Sequence, residues 1–278
     1  MISSTQAPRG RVSQVTTKLL VCLMILAGTL VAIAPASGII GGQADGNGHP
    51  NVGAIDIGPT GRTIPASGVL ISPTVYVTAG HITAFFDAAG VTQARVTFAP
   101  VYSDSATFYT GTVYTHPEFR KDPEFKYRRD DPHDIGVVVF DQPIPGITPA
   151  ILPSEELLDT LGPQGLQDEV FPVVGYGISH LLGGANGGGS PRPDRSSAGT
   201  RKTGDWRFLS LTSDWIRFDM HGAQGCTGDS GAPNFLGRSN LVIGIGIGGD
   251  SSCEVMGSDL RLDTPLVRAF LGQFVTLP

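Results

Sequence analysis

The sequence contains few cysteines, and their positions limit what they can do. Only 3 cysteines occur among 278 residues, and none stands with histidines in the spacing of a zinc site, so we expect no metal centre. Cys22 lies in an apolar stretch near the N-terminus. Cys226 and Cys253 remain, and an even pair in an exported chain predicts one disulfide, with two unpaired buried thiols as the alternative.

Basic side chains are also scarce. The chain has 19 Lys and Arg against 25 Asp and Glu. Residues 1–38 hold three of the basic side chains and no acidic one, so their removal leaves 16 basic against 25 acidic residues, a net charge of −9. Such a surface repels phosphate groups, and we therefore exclude a nucleic-acid partner.

The apolar run near the N-terminus, residues 19–34, is shorter than the ~20 residues that a membrane-spanning helix usually needs. It follows basic side chains and precedes small ones, an order that predicts a signal peptide over residues 1–38 and a secreted protein with no stable membrane insertion; a membrane anchor is the alternative. Cleavage after Gly38 and cleavage after Ala36 both remain open. The flanking residues are Arg9, Arg11 and Lys18 before the run, and Ala34, Ala36 and Gly38 at its end.

A regular alternation of strands and helices is missing as well. The 38 glycines and 21 prolines punctuate short apolar runs, which favours an all-β sandwich or barrel over repeated strand-helix-strand units. The runs 67–72 and 169–174 are typical of strands. At the C-terminus, Thr264 and Pro265 predict the N-cap and first residue of a closing helix.

Ser230 lies in Gly228-Asp229-Ser230-Gly231, a sequence that suits a hydroxyl exposed on a tight turn with backbone N–H groups free beside it. Such a segment also occurs in ordinary turns. However, His81 follows a predicted strand and Asp134 opens another. Histidine, aspartate and serine in this chain order match one of the known arrangements of a catalytic triad.

From Ile39 to the C-terminus, the sequence resembles secreted bacterial members of the trypsin/chymotrypsin-like serine protease family. The resemblance implies two packed six-stranded antiparallel β-barrels, residues 39–153 and 154–278, with the C-terminal helix docked on the second. It also implies a serine endopeptidase that acts on proteins or peptides without a cofactor. Five motifs carry it in family order: Ile39-Ile40-Gly41-Gly42, Thr78-Ala79-Gly80-His81, Asp134-Ile135-Gly136-Val137, Gly175-Tyr176-Gly177 and Gly228-Asp229-Ser230-Gly231.

The family pattern assigns roles to individual residues. His81, Asp134 and Ser230 are the expected catalytic triad, and the backbone N–H groups of Gly228 and Ser230 are the expected oxyanion hole. After cleavage, the new N-terminal ammonium of Ile39 is expected to pair with Asp229.

The resemblance does not determine which substrate side chain the specificity pocket prefers. Gln224 falls at the expected base of the primary pocket, with Gly246 and Gly248 on its wall. Negative charge could also come from Asp250, Glu254 or Asp259, so the preferred substrate side chain stays undecided.

Two departures from the family pattern keep a second function open. Gly246 stands where a serine usually supports the catalytic aspartate, and Gly38 rather than a basic residue precedes Ile39. A catalytically silent binding protein with a protease fold is therefore the alternative to a secreted endopeptidase, and in either case we expect a monomer.

Overall fold

In the computed structural model, the chain is described at residues 1, 39–122, 124, 130–183, 192–220, 222–249, 253 and 256–278. The expected signal peptide, apart from Met1, lies outside these residues. The segment Ser37–Pro278 forms one compact unit that contains both β-barrels.

The first barrel closes from six antiparallel strands in the order β2-β3-β4-β7-β6-β5. Valine, isoleucine and other apolar side chains fill its interior because they fit the pleated, buried surface of a sheet. The strands are β2 (Val52–Asp56), β3 (Ala66–Ser72), β4 (Val75–Thr78), β5 (Gln93–Thr97), β6 (Tyr109–Thr115) and β7 (Gly136–Phe140).

The second sheet has the order β1-β11-β12-β15-β14-β13-β8, and an additional pairing of β8 with β11 closes six of its strands into the second barrel. The expected fold of two six-stranded barrels is thus confirmed. The strands are β1 (Gln43–Ala44), β8 (Val170–Gly175), β11 (Lys202–Leu211), β12 (Trp215–Asp219), β13 (Pro233–Phe235), β14 (Val242–Gly249) and β15 (Met256–Arg261); β9 (Leu181–Leu182) and β10 (Arg192–Pro193) form a separate short pair.

The described part contains three helices, and only the last was expected. They are α1 (Gly80–Ala89), α2 (Leu157–Leu166) and α3 (Pro265–Leu271). The expected start of α3 is confirmed, since Thr264 caps it by accepting a hydrogen bond from the Val267 N–H. None of the helices among the described residues is long and apolar enough to cross a membrane.

The expected docking of α3 on the second barrel is wrong. The ring of Phe270 lies 5.0 Å from His116, and that of Phe274 lies 5.2 Å from Tyr114 at the edge of the first barrel. Aromatic pairs at this spacing are favourable contacts. Phe270 of α3 therefore packs on His116, which follows β6, and Phe274, which follows α3, packs on β6 itself.

Arg201 joins the two barrels from a buried position between them. Its Nη1 donates to the carbonyls of Val52 (3.0 Å) and Phe98 (2.9 Å) in the first barrel. Its Nε donates to Asp45 Oδ2 at 2.9 Å, beside β1 of the second sheet. A guanidinium has five N–H donors, and burial without partners would be costly. Each barrel thus completes the hydrogen bonding of the same side chain.

Candidate active site

His81 and Asp134 come together because β4 and β7 are neighbours, with Thr78 opposite Gly136. His81 follows β4 in the first turn of α1, and Asp134 precedes β7. Asp134 Oδ1 accepts the His81 backbone N–H at 2.6 Å, and Asp134 Oδ2 lies 3.0 Å from His81 Nδ1. The carboxylate therefore fixes both the backbone and the ring of His81.

The approach of α1 to this carboxylate requires a glycine at position 80. A Cβ atom there would lie 2.7 Å from the backbone nitrogen of Ile135 and 3.0 Å from the carbonyl carbon of Asp134. Contacts that short essentially never occur, so any side chain would push His81 away from Asp134.

Ser230 lies on the loop between β12 and β13, and its Oγ is 2.9 Å from His81 Nε2. The first barrel holds this loop through Ser67, whose N–H donates to the Ser230 carbonyl at 3.0 Å and whose Oγ donates to the Gly228 carbonyl at 2.8 Å. The structure thus brings His81, Asp134 and Ser230 into one hydrogen-bonded line across the two barrels.

Gly228 has a φ of 98°, a left-handed conformation that glycine adopts without a steric penalty. Among the described residues, neither the Gly228 N–H nor the Ser230 N–H donates to a protein acceptor. Two unoccupied backbone donors beside a serine hydroxyl are suited to binding a developing oxyanion.

The Asp229 carboxylate is buried among backbone atoms of the second barrel's half of the chain. It accepts hydrogen bonds from the backbone N–H groups of Gly177 (2.8 Å) and Cys226 (3.0 Å). Burial raises the pKa of the Asp229 carboxyl to about 6, while these hydrogen bonds and the charge of Lys202 act in the opposite direction.

Sequence reasoning missed Lys202 as a neighbour of Asp229. Lys202 is cross-strand to Gly175, and a Cβ atom on Gly175 would lie 2.2 Å from Asp229 Oδ1. Cross-strand partners share a face of the sheet, so the buried Lys202 side chain lies on the face that Asp229 occupies. A lysine at the start of an otherwise ordinary strand carries no local sign of this role.

Ile39, the expected ionic partner of Asp229, is fully buried in the core of the second barrel. Its neighbour Ile40 exchanges two backbone hydrogen bonds with Gln224, at 3.0 and 2.7 Å. In the uncleaved chain the Ile39 nitrogen is an uncharged amide, so an ion pair with Asp229 stays a prediction for the cleaved chain.

A cavity of about 430 Å³ opens beside Ser230 and His81. Gly246 and Gly248 line it as expected for pocket residues, whereas Gln224 is not among its lining residues. Trp206, Met220 and Asp259 line it in addition. Asp259 is one of the three acidic residues expected near the pocket, whereas the local sequence of Trp206 and Met220 gives no sign that they line the cavity.

Asp259 is fully buried. Its Oδ2 accepts a hydrogen bond from Asn234 Nδ2 at 2.5 Å, and its Oδ1 has no partner in the described structure. Burial raises the pKa of the Asp259 carboxyl to about 8, against the lowering effect of Asn234. The other two acidic candidates, Asp250 and Glu254, lie outside the described residues.

The substitution of glycine for serine at position 246 does not leave a gap next to Asp134. A Cβ atom on Gly246 would lie nearest to the Asp229 carbonyl oxygen, at 3.1 Å, and 3.9 Å from Asp259 Oδ1. The side chain of residue 246 would therefore point toward Asp259. This geometry removes one of the two reasons for expecting a silent protein.

Cys226 and Cys253 form a disulfide, as predicted. It ties the loop that carries Ser230 to the segment that precedes β15. Among the described residues, no group of three or more His, Cys, Asp and Glu side chains is placed to hold a metal ion.

Comparisons with known proteins agree with this geometry. A family model described as Trypsin matches residues 39–259. A solved structure described as HL collagenase is similar with a TM-score of 0.65 and 18% sequence identity, covering 86% of this chain and 100% of that chain. At this identity the likeness shows the fold alone. No match was found among curated protein sequences.

Proposed function

Because this chain belongs to the trypsin family, and is therefore a serine-type endopeptidase acting on proteins or peptides, we propose that His81, Asp134 and Ser230 are its catalytic triad. The observation that carries the proposal is the continuous line from Asp134 through His81 to Ser230, with contacts of 3.0 and 2.9 Å. These are the distances that a nucleophile, its general base and the group that orients the base require.

In the proposed reaction, His81 Nε2 takes the proton of Ser230 Oγ as the oxygen attacks the substrate carbonyl carbon. Asp134, hydrogen-bonded to Nδ1, holds the neutral ring in the tautomer with a free Nε2 and stabilises the cation that forms. The same proton then passes from Nε2 to the leaving amine, and the C–N bond breaks to give an acyl-enzyme. Water, deprotonated by His81, releases the second product.

The N–H groups of Gly228 and Ser230 are proposed to bind the oxyanion during both steps. Each donor of this kind contributes roughly a hundredfold or more to the rate. Their geometry depends on the disulfide at Cys226 and on the two hydrogen bonds from Ser67, which together fix the loop.

We further propose that the chain is secreted and that signal cleavage after Gly38 frees the Ile39 ammonium to pair with Asp229. The burial of Ile39 and the raised pKa of Asp229 support this proposal, since a buried carboxylate gains stability from an added positive charge. Cleavage after Ala36 would leave two residues to be trimmed. In this scheme residues 39–153 supply His81 and Asp134, and residues 154–278 supply Ser230.

The test is labelling of the secreted protein with a fluorophosphonate serine probe, beside Ser230→Ala, with the intact mass recorded. We expect labelling of the parent protein, none in the variant, and a mass that begins at Ile39. A folded protein that begins at Ile39 and does not label would support the silent binding protein instead. A stable Ser37 start on a protein that labels would contradict only the activation scheme.

A further inference from the structure

We propose that Arg62, Arg120 and Arg195 form a cationic rim around the active-site cavity that binds acidic side chains of the substrate on either side of the cleaved bond. The inference rests on the proposed function of the triad and adds a class of substrate to it. Each arginine is exposed, and each lines the cavity that contains Ser230.

The acidic side chains of the same cavity do not offset this charge at the surface. Asp134, Asp229 and Asp259 are 3%, 6% and 0% exposed, and Asp134 already contacts His81. Among the described lining residues, therefore, the charge that faces solvent is positive. The rest of the chain carries a net negative charge, so an acidic peptide would be repelled by the wider surface and attracted to the cleft.

Arg62 is held in place by an aromatic ring. Its guanidinium carbon lies 3.3 Å from the centre of the Phe85 ring, and that ring packs edge-on against His81 with centres 6.2 Å apart. Stacking on a ring uses the face of the guanidinium and leaves the N–H groups at its edge available. These donors are therefore held close to the reacting groups.

Arg120 is held by an unusual backbone conformation. Its φ is 53°, which costs energy for a residue with a side chain and persists only where the surroundings enforce it. The surroundings here are the buried carboxylate of Asp131, which accepts the Arg120 N–H at 2.7 Å and the His133 N–H at 3.0 Å. Asp131 thereby joins Arg120 to the residue that precedes Asp134, with Arg120 at the cavity.

Arg195 begins a short 3-10 turn, Arg195–Ser197, in the second barrel's half of the chain. The adjacent Asp194 accepts hydrogen bonds from the N–H and hydroxyl of Ser196, at 3.1 and 2.6 Å. That carboxylate is thus already engaged, and it is not among the lining residues.

The guanidinium N–H groups of the three arginines donate no hydrogen bond within the described structure. None of them has a carboxylate partner among the described residues. Elsewhere arginines do pair with carboxylates: Arg95 with Asp56, Arg201 with Asp45, Arg238 with Asp205, Arg261 with Asp263, and Arg268 with Glu155. Since arginine is suited to bidentate binding of carboxylates, glutamate and aspartate are the side chains that fit the rim.

A cleavable sequence is first identified by cleavage of a mixed peptide library. The test then compares pairs of peptides with that sequence that differ only by Glu or Gln at one position. The positions tested run from four residues before the cleaved bond to three residues after it. We expect kcat/KM to be higher for Glu at some of these positions, by about threefold for each arginine engaged. The preference should lie mainly in KM and should shrink as salt is raised.

The variants Arg62→Gln, Arg120→Gln and Arg195→Gln should each remove the preference at their own position while still being labelled by the probe. Arg238→Gln removes the same charge from a residue that does not line the cavity, and it should keep every preference. An enzyme that labels and cleaves but treats Glu and Gln alike, or prefers Gln, overturns the inference alone. A protein that neither labels nor cleaves any peptide overturns the proposed function and the inference with it.

Discussion

The buried carboxylates of the first barrel each contact a basic side chain, whereas two of those in the second barrel are hydrogen-bonded only by backbone or amide N–H groups. The first set pairs Asp56 with Arg95, Asp131 with His133, and Asp134 with His81. The second set is Asp229 and Asp259. Asp229 and Asp259 thus have no ion pair within the described structure, whereas the third buried carboxylate of the second barrel, Asp263, pairs with Arg261.

Asp229 and Asp259 have raised pKa values, and these make the stability of the fold depend on pH. Burial raises the pKa of Asp229 to about 6 and that of Asp259 to about 8, above the ordinary value of 3.8. The native state then holds protons that the unfolded chain releases above pH 4. Their contribution to stability is complete at low pH and is lost as pH rises through the two folded-state values. These two groups of the second barrel should thus make the uncleaved chain less stable as pH rises through about 6 and about 8.

The largest expected effect is on kcat/KM. Each barrel supplies part of the proposed triad, so a variant in either barrel should lower kcat/KM to a similar extent. Asp134→Asn in the first barrel and Ser230→Ala in the second should each lower kcat/KM by about four orders of magnitude or more. The melting temperature of each variant shows whether the fold is intact. A loss smaller than tenfold in either variant would contradict the proposed triad.

The next effect concerns charge at the border of the two barrels. Arg201→Met should lower the free energy of unfolding by about 3–5 kcal/mol, because it removes a buried guanidinium that pairs with Asp45 and leaves the Val52 and Phe98 carbonyls without their donor. Arg95→Met breaks a pair whose arginine is half exposed, so we expect about 0–1 kcal/mol. Urea titrations of both variants measure these values. Equal decreases in the free energy of unfolding for the two variants would show that burial of the arginine does not determine how much its ion pair contributes to stability.

A comparable effect is expected on the pH dependence of stability when the buried Asp259 of the second barrel is replaced. Asp259→Asn replaces a carboxylate with an amide that carries no charge at any pH. We expect the stability of the variant relative to the parent protein to increase between pH 5 and pH 9, by about 4 kcal/mol. Thermal unfolding at both pH values checks this. A variant whose relative stability does not increase between these pH values would show that the Asp259 charge is compensated.

The smallest effect concerns Lys202. Lys202→Met removes the positive charge that lowers the pKa of Asp229, and the pKa of that carboxyl should rise by about one unit. The fall in stability with pH should then extend to a higher pH than in the parent, whereas Lys202→Arg should keep the parent profile. Identical profiles for all three proteins would place Lys202 outside the environment of Asp229.

The sequence was enough to predict the fold because turns, short apolar runs and five motifs occur in the order of a known family. It also predicted the N-cap of α3, which depends on adjacent residues. The helix α2 escaped prediction because Gly162 and Pro163 interrupt it, and Gly162 is indeed non-helical, with φ 63° and ψ 172°. Prediction of α1 failed because a strand and a small-residue turn precede it, so His81 was expected on a loop.

Contacts between distant parts of the chain were harder to predict than elements. Lys202 lies near Asp229 through a cross-strand register, and Trp206 of β11 lines the cavity. The docking of α3 depends on Phe270 meeting His116, which are far apart in sequence. Hydrophobic pattern sets which face of an element is buried, but it does not say against which partner.

The position of Arg201 limits how this chain can be divided or recombined. A fragment that ended between the barrels would expose a guanidinium whose acceptors lie on the missing half, at Val52 and Phe98. Two separately expressed halves should therefore be poorly ordered alone and should regain order when mixed. A hybrid that took one barrel from a relative would need acceptor carbonyls at the same places. In evolution, the two barrels of this enzyme are then expected to change together and not to be exchanged as independent modules.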